Sequence, residues 1–183
     1  VMQGDELKIA FAFLLSMPGA PFIYYGDEIG MRYVEGLKSV EGGYNRTGSR
    51  SPMQWDDSTN AGFSSAPASD LYITMDPGKD RPTAKAQMYH EVKKLIQIRQ
   101  SSKALLSRGT IEFVYAEKNQ YPLAYVREAE GEKVLVIINP SDKEQSFPYS
   151  AELKDALYTI GGKAESKDGT ITIPAQSAGF YHI

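Results

Sequence analysis

Two neighbouring carboxylates, Asp27 and Glu28, follow the apolar run Phe22-Ile23-Tyr24-Tyr25 after a single glycine, Gly26. Paired carboxylates do general acid–base work when they face a reacting bond together. Adjacent residues leaving a strand point in different directions, so these two make a poor pair. Two roles remain for them. One carboxylate orients a substrate or a neighbouring catalytic group, or both hold their loop by hydrogen bonds, as partly buried charges must find partners. A second acidic pair, Asp56-Asp57, lies among Ser, Thr and Asn and reads as a turn or a solvated pair. Asp56, Ser58 and Asn60 have the spacing that opens an EF-hand loop. Ala61 and Pro67 then stand where that loop requires glycine and glutamate, which excludes a calcium site of this type. The two histidines, His90 and His182, are too far apart in sequence to suggest a metal or nucleophile–base set, and each reads as a satisfied boundary residue. Asn45-Arg46-Thr47 fits a glycosylation acceptor pattern. No catalytic residue and no metal ligand can be assigned from this chain.

The composition narrows the classes further. There is no cysteine among the 183 residues, which removes disulfides, zinc thiolates, iron–sulfur clusters and cysteine nucleophiles. The net charge of −3 offers no basic field for a nucleic-acid backbone, so no nucleic-acid partner is expected. With 42% hydrophobic and 23% charged residues the chain can bury a core. The longest apolar helix candidate, Leu7 to Met17, is far short of the roughly 20 residues of a membrane span, so no membrane partner is expected either.

Two textures of pattern must position these residues. A helix is predicted from Asp5 to Met17, with Leu7, Ile9, Ala10, Phe11, Phe13, Leu14 and Leu15 around most of its surface, as in a helix buried on most sides. Phe22–Tyr25 lacks polar alternation and reads as a strand buried on both faces of a parallel sheet. One such strand cannot form a sheet alone, and its partners are expected upstream, in a longer protein. A long loop without periodicity runs from Gly26 to Arg81, and loops of that length are usually functional. A second helix is predicted from Pro82 to Gln100, with Met88, Val92, Leu95, Ile96 and Arg99 on one stripe. Short alternating strands follow at 111–116, 123–127, 134–138, 145–147, 156–160, 170–173 and 179–183. Turn pairs such as Glu130-Gly131 and Asp168-Gly169 separate them. These seven strands predict a small antiparallel sandwich.

The segments GAPFIYYGDEIGM (residues 19–31) and RSPMQWDDSTNAGFS (residues 50–64) together resemble the α-amylase superfamily of glycoside hydrolases. The second is similar to the branch holding oligo-1,6-glucosidases, α-glucosidases and trehalose synthases. The family more often carries Thr where Ser51 stands, and often an acidic residue near Thr47. The stretch PLAYVREAEGEKVLVIINP (residues 122–140) and the closing IPAQSAGFYHI fit that family's C-terminal sandwich. The resemblance implies a fold of mixed α/β plus all-β class. Residues 1–103 would form the end of a (β/α)8 TIM barrel, from its seventh helix through its eighth strand and helix. Residues 104–183 would form the C-terminal antiparallel β-sandwich.

The resemblance also implies a function. The parent would be a retaining α-glycoside hydrolase or transglycosylase acting on α-glucans or α-gluco-oligosaccharides. Its nucleophile, general acid and third aspartate would lie on earlier strands, so this chain alone is expected to be inactive. Asp27 and Glu28 would sit at the catalytic face of the barrel, where its chemistry happens. Alternation would turn either Tyr24 or Tyr25 toward the pocket, with Tyr25 as the substrate-binding candidate. Arg50 and Gln54 could reach the leaving-group side of a sugar, because hydroxyls want fixed donors. Trp55 could offer a flat surface to a sugar face or anchor the loop with Met53. No cofactor is expected on this chain, although the rest of the barrel could hold calcium. The exposed barrel-facing surface could mediate self-association. The alternative is a carbohydrate-binding or docking β-domain without catalysis. Against it, the β half has Tyr and Phe but no Trp.

Overall fold

The computed structural model describes residues 5–31, 33–36, 47–53, 55–56, 58–67 and 86–183. The chain divides into two compact units. One holds residues 1 and 23–89, and the other holds residues 2–22 and 90–183.

The larger unit is built on eight strands. They are β1 (Thr110–Tyr115), β2 (Leu123–Ala129), β3 (Glu132–Asn139), β4 (Gln145–Pro148), β5 (Ala156–Ile160), β6 (Glu165–Lys167), β7 (Thr170–Ile173) and β8 (Ser177–His182). Five of them form an antiparallel sheet in the order β1-β2-β3-β8-β5, and three form a second sheet in the order β4-β7-β6. The hairpins use the expected turn chemistry. Glu130 and Gly131 between β2 and β3, and Asp168 and Gly169 between β6 and β7, all have positive φ, as a two-residue primed turn requires. Seven strands agree with the sequence pattern. The eighth, β6, was not expected, because its residues Glu165, Ser166 and Lys167 are all exposed and leave no apolar alternation to read.

The sandwich core lies between the two sheets. Ala124, Val126, Leu135, Ile137 and Tyr181 project from the larger sheet against Phe147, Ile171 and Ile173 of the smaller one. The opposite parity of the larger sheet is buried too, including Tyr125, Val134, Val136 and Phe180. Helix α1 (Asp5–Ser16) packs on that face against β3, β5 and β8. Burial on both faces explains why Val134–Ile138 is apolar without alternation.

α1 buries Ile9, Phe11, Ala12, Leu15 and Ser16, whereas Phe13 stays 38% exposed. Leu7, Ala10 and Leu14 are half-buried, so Phe13 is the one exposed member of the predicted apolar set, and it lines an apolar cavity with Tyr121, Leu123, Ile138 and Pro140. Helix α2 (Ala86–Ser101) buries Met88, Val92, Leu95 and Arg99 of its predicted stripe. The predicted helix start at Pro82 lies outside the described residues.

Two buried arginines tie these elements together. Arg99 of α2 donates to the carbonyls of Leu15 (2.8 Å), Met17 (2.7 Å) and Gly19 (2.6 Å) at the end of α1. Arg127 of β2, wholly buried, donates to the carbonyls of Thr110 (2.9 Å), Leu106 (2.7 Å), Gly109 (3.1 Å) and Ser16. The tail of a helix concentrates unpaired carbonyls and partial negative charge, which suits a guanidinium. The Ser16 hydroxyl adds a 2.6 Å bond to the phenol of Tyr125.

Among its described residues the smaller unit contains three short 3-10 turns, at Asp27–Ile29, Thr47–Arg50 and Thr59–Gly62. Residues 22–24 do not form a strand, and residues 25–26 form a turn. This corrects the predicted strand at Phe22–Tyr25. An extended segment becomes a strand only by pairing its backbone, and none of the eight strands pairs with it. Among the described residues no helix is long and apolar enough to cross a membrane.

Candidate functional site

The turn at residues 24–31 is held by its own carboxylates. The Asp27 Oδ2 accepts the Tyr24 N–H at 3.2 Å, and the Glu28 Oε2 accepts the Gly26 N–H at 2.8 Å. Backbone bonds from Ile29 and Met31 to the Gly26 carbonyl close the turn. Gly26 has φ of 91° and packs against the Met31 side chain, so a side chain there would be both strained and obstructed. The loop-holding role proposed for both acids is therefore present. Desolvation, with the adjacent Glu28 charge, raises the Asp27 carboxyl above the ordinary carboxylate range, against the opposing pull of the Tyr24 N–H. Committed to separate backbone donors of one turn, these acids are positioned as local supports rather than as a pair across a bond.

Tyr25 joins this turn to the second motif. Its hydroxyl donates to the buried Ser51 carbonyl at 3.1 Å, and its ring lies 4.7 Å from that of Tyr24. Burial and the neighbouring Tyr24 push the Tyr25 phenol up, while the Arg50 guanidinium pulls it down. Arg50 therefore lies within electrostatic reach of Tyr25, and it is exposed. A second tie runs from the Val34 N–H to the Gly48 carbonyl at 3.0 Å. Gly48 is required there, because an added Cβ would meet the Val34 carbonyl and the Tyr33 ring. Two segments distant in sequence thus present Tyr24, Tyr25 and Arg50 at an exposed surface.

The remaining sequence candidates fall as follows. Trp55 is 56% exposed, which does not fit a buried anchor and leaves its indole face accessible. Gln54 and Asp57, and the Asn45-Arg46 part of the glycosylation pattern, lie outside the described residues. The Asp56 Oδ1 accepts the Ser58 N–H at 2.8 Å, a local turn of the expected kind. Asn60 spans its own loop by donating to the carbonyls of Ser64 (3.2 Å) and Ala66 (3.0 Å). Among the described residues no three His, Asp or Glu side chains gather as a metal set. Sequence reasoning missed the Ser51 carbonyl as the acceptor for Tyr25. A main-chain group has no residue-type signal, and the small Ser51 was legible only as a departure from a pattern.

Comparison with known proteins gives these geometries a context. Residues 2–109 match the family model for the alpha amylase catalytic domain, and residues 123–178 match the model for the alpha-amylase SusG C-terminal domain. The chain is 33% identical over 174 residues to a trehalose synthase of Thermus thermophilus, covering 87% of this chain and 17% of that protein. It is 34% identical over 169 residues to alpha-amylase 3 of Dictyoglomus thermophilum, covering 88% of this chain and 31% of that protein. The chain thus spans less than a third of either relative. In fold, it matches the crystal structure of a trehalulose synthase mutant soaked with trehalulose. The TM-score is 0.77 at 22% identity, over 98% of this chain and 38% of that one.

Proposed function

The chain belongs to the α-amylase family, and from that premise we propose that it is the C-terminal part of a retaining α-glycoside hydrolase or transglycosylase. Its substrates are α-glucans or α-gluco-oligosaccharides. The catalytic carboxylates lie on earlier barrel strands, and this chain contributes a wall of the substrate cleft together with the appended sandwich. One observation carries the reading: the Tyr25 hydroxyl on the Ser51 carbonyl, at 3.1 Å, brings the two family-like motifs to one surface. At that surface Arg50 holds sugar hydroxyls, Tyr25 lines the cleft, and Asp27 and Glu28 keep the turn in shape; the same motif supplies Gln54 as a further donor and Trp55 as a flat face for a sugar.

The test uses the polypeptide that carries this sequence in its source cells. Its intact mass should lie well above 20.2 kDa, and it should release or transfer glucose from α-1,4- or α-1,6-linked oligosaccharides. In that protein Arg50→Ala should lower kcat/KM about 10- to 100-fold, the worth of a charged hydrogen bond to substrate. A native chain of 20.2 kDa without turnover would end the enzymatic reading and leave a carbohydrate-binding or docking domain.

A further inference from the structure

The short turn Thr47–Arg50 ends on Arg50 and is followed by Ser51-Pro52. Proline disfavours the helical region for the residue before it and brings no N–H of its own, so the turn does not run past Arg50. Ser51 is buried, and a buried carbonyl needs a donor. The Tyr25 hydroxyl supplies one, at 3.1 Å. On the other side of Arg50, the Gly48 carbonyl accepts the Val34 N–H at 3.0 Å. Arg50, itself exposed, thus stands between two residues pinned from outside their own segment.

We propose that Tyr25 is a positioning residue whose hydroxyl, through the Ser51 carbonyl, fixes the backbone from which Arg50 reaches the sugar. The role rests on the reading of Arg50 as a donor to sugar hydroxyls. A guanidinium on a long side chain loses binding energy to every torsion that the ligand must order. With the Ser51 carbonyl held, the root of that side chain is ordered before substrate arrives. Without the bond, the Gly48 tie still keeps the turn, and the substrate must do the rest of the ordering. That cost falls on the bound substrate and on the transition state alike, so it appears in KM and leaves kcat unchanged.

The surroundings suit the hydroxyl to this task. Burial first, and then the neighbouring Tyr24, hold the Tyr25 phenol above its ordinary range, so it keeps its proton and can donate at any ordinary pH. Arg50 acts on the phenol in the opposite sense, which puts its charge within reach of the pin. The Tyr25 ring lies 4.7 Å from that of Tyr24, a contact that phenylalanine would keep. Tyr25→Phe therefore removes the hydroxyl and leaves the ring packing in place.

The test is a double-mutant cycle in the full polypeptide that carries this sequence, with maltotriose and isomaltose as substrates. Tyr25→Phe should raise KM about 3- to 10-fold, the worth of one neutral hydrogen bond, with kcat unchanged. Arg50→Ala should cost more. Tyr25→Phe added to Arg50→Ala should then cost nothing further, because the hydroxyl has no side chain left to place. A role in folding alone would lower kcat and the melting temperature together and leave KM as it was. That outcome, or a Tyr25→Phe protein that does not fold, refutes positioning. So does an unchanged KM, and so do losses that add. The reading of Arg50 fails separately. An active polypeptide in which Arg50→Ala changes nothing shows that this arginine does not bind sugar, and Tyr25 then has nothing to position.

Discussion

Arg127 shows how much one residue can organise. It carries a full charge into a wholly buried position, yet its described bonds go to four carbonyls and to no carboxylate. Burial first, and then the nearby charge of Arg99, lower its pKa, so the protein bears two like charges in one region. The carbonyls at the end of α1 offset that cost, because they would otherwise be unpaired. We expect Arg127→Ala to destabilise the chain by about 3 kcal/mol or more, since it strands several buried acceptors. Arg127→Lys should recover less than half, because an ammonium is a point donor and cannot replace the guanidinium fork. Arg127→Met restores volume without donors. Urea unfolding of the three variants separates the contributions, and a Met variant as stable as wild type would refute the hydrogen-bonding account. None of this was legible beforehand. Arg127 stood in the sequence as the end of a strand, and its inward register follows only once β2 is paired on both sides. Asp27 and Glu28 were legible as loop supports because a carboxylate beside a glycine turn has nearby N–H groups to accept.

Elements with local chemistry were the legible ones. The Glu130-Gly131 and Asp168-Gly169 turns announce themselves because so few residues tolerate positive φ. Strand β6 did not, because a three-residue exposed strand is specified by its neighbour β7 and not by its own pattern. The domain cut proposed at residue 103 is harder to read from sequence, because the relevant surface is buried by α1, which is distant in the chain. Tyr125, Val134, Val136 and Phe180 lie on the sheet face opposite the sandwich core, the face on which α1 packs. Exposing them would cost about 1.5–3 kcal/mol for each side chain, comparable in sum with the whole stability of a small domain. Residues 104–183 alone should therefore melt without cooperativity and bind a hydrophobic dye. A chain that retains α1 and α2 should melt in one step. Sharp, dye-free melting of residues 104–183 would show that the sandwich stands without its helices.

At the scale of the whole molecule the question is what the unpaired apolar run does. Phe22 is 90% exposed, Tyr24 50% and Tyr25 41%, in a segment whose composition is that of a strand buried on both faces. In the α-amylase family reading, neighbouring strands of a barrel would cover it. The chain by itself leaves this surface in water, at about 25 cal/mol for each Å² of apolar area. Charge gives little protection, since the net value is only −3 and falls further as the carboxylates protonate. We therefore expect the isolated chain to self-associate as concentration rises, and more strongly as pH falls toward the isoelectric point near 5.5. Phe22→Ser should shift that association to higher concentration without lowering the melting temperature of the sandwich, because Phe22 is not part of its core. Sedimentation velocity across a concentration series reads the first effect, and calorimetry reads the second. A monomer at all concentrations whose amides at residues 22–25 exchange freely would show that the run simply frays. A monomer with those amides protected would mean that the chain covers the run itself, and both expectations would fail.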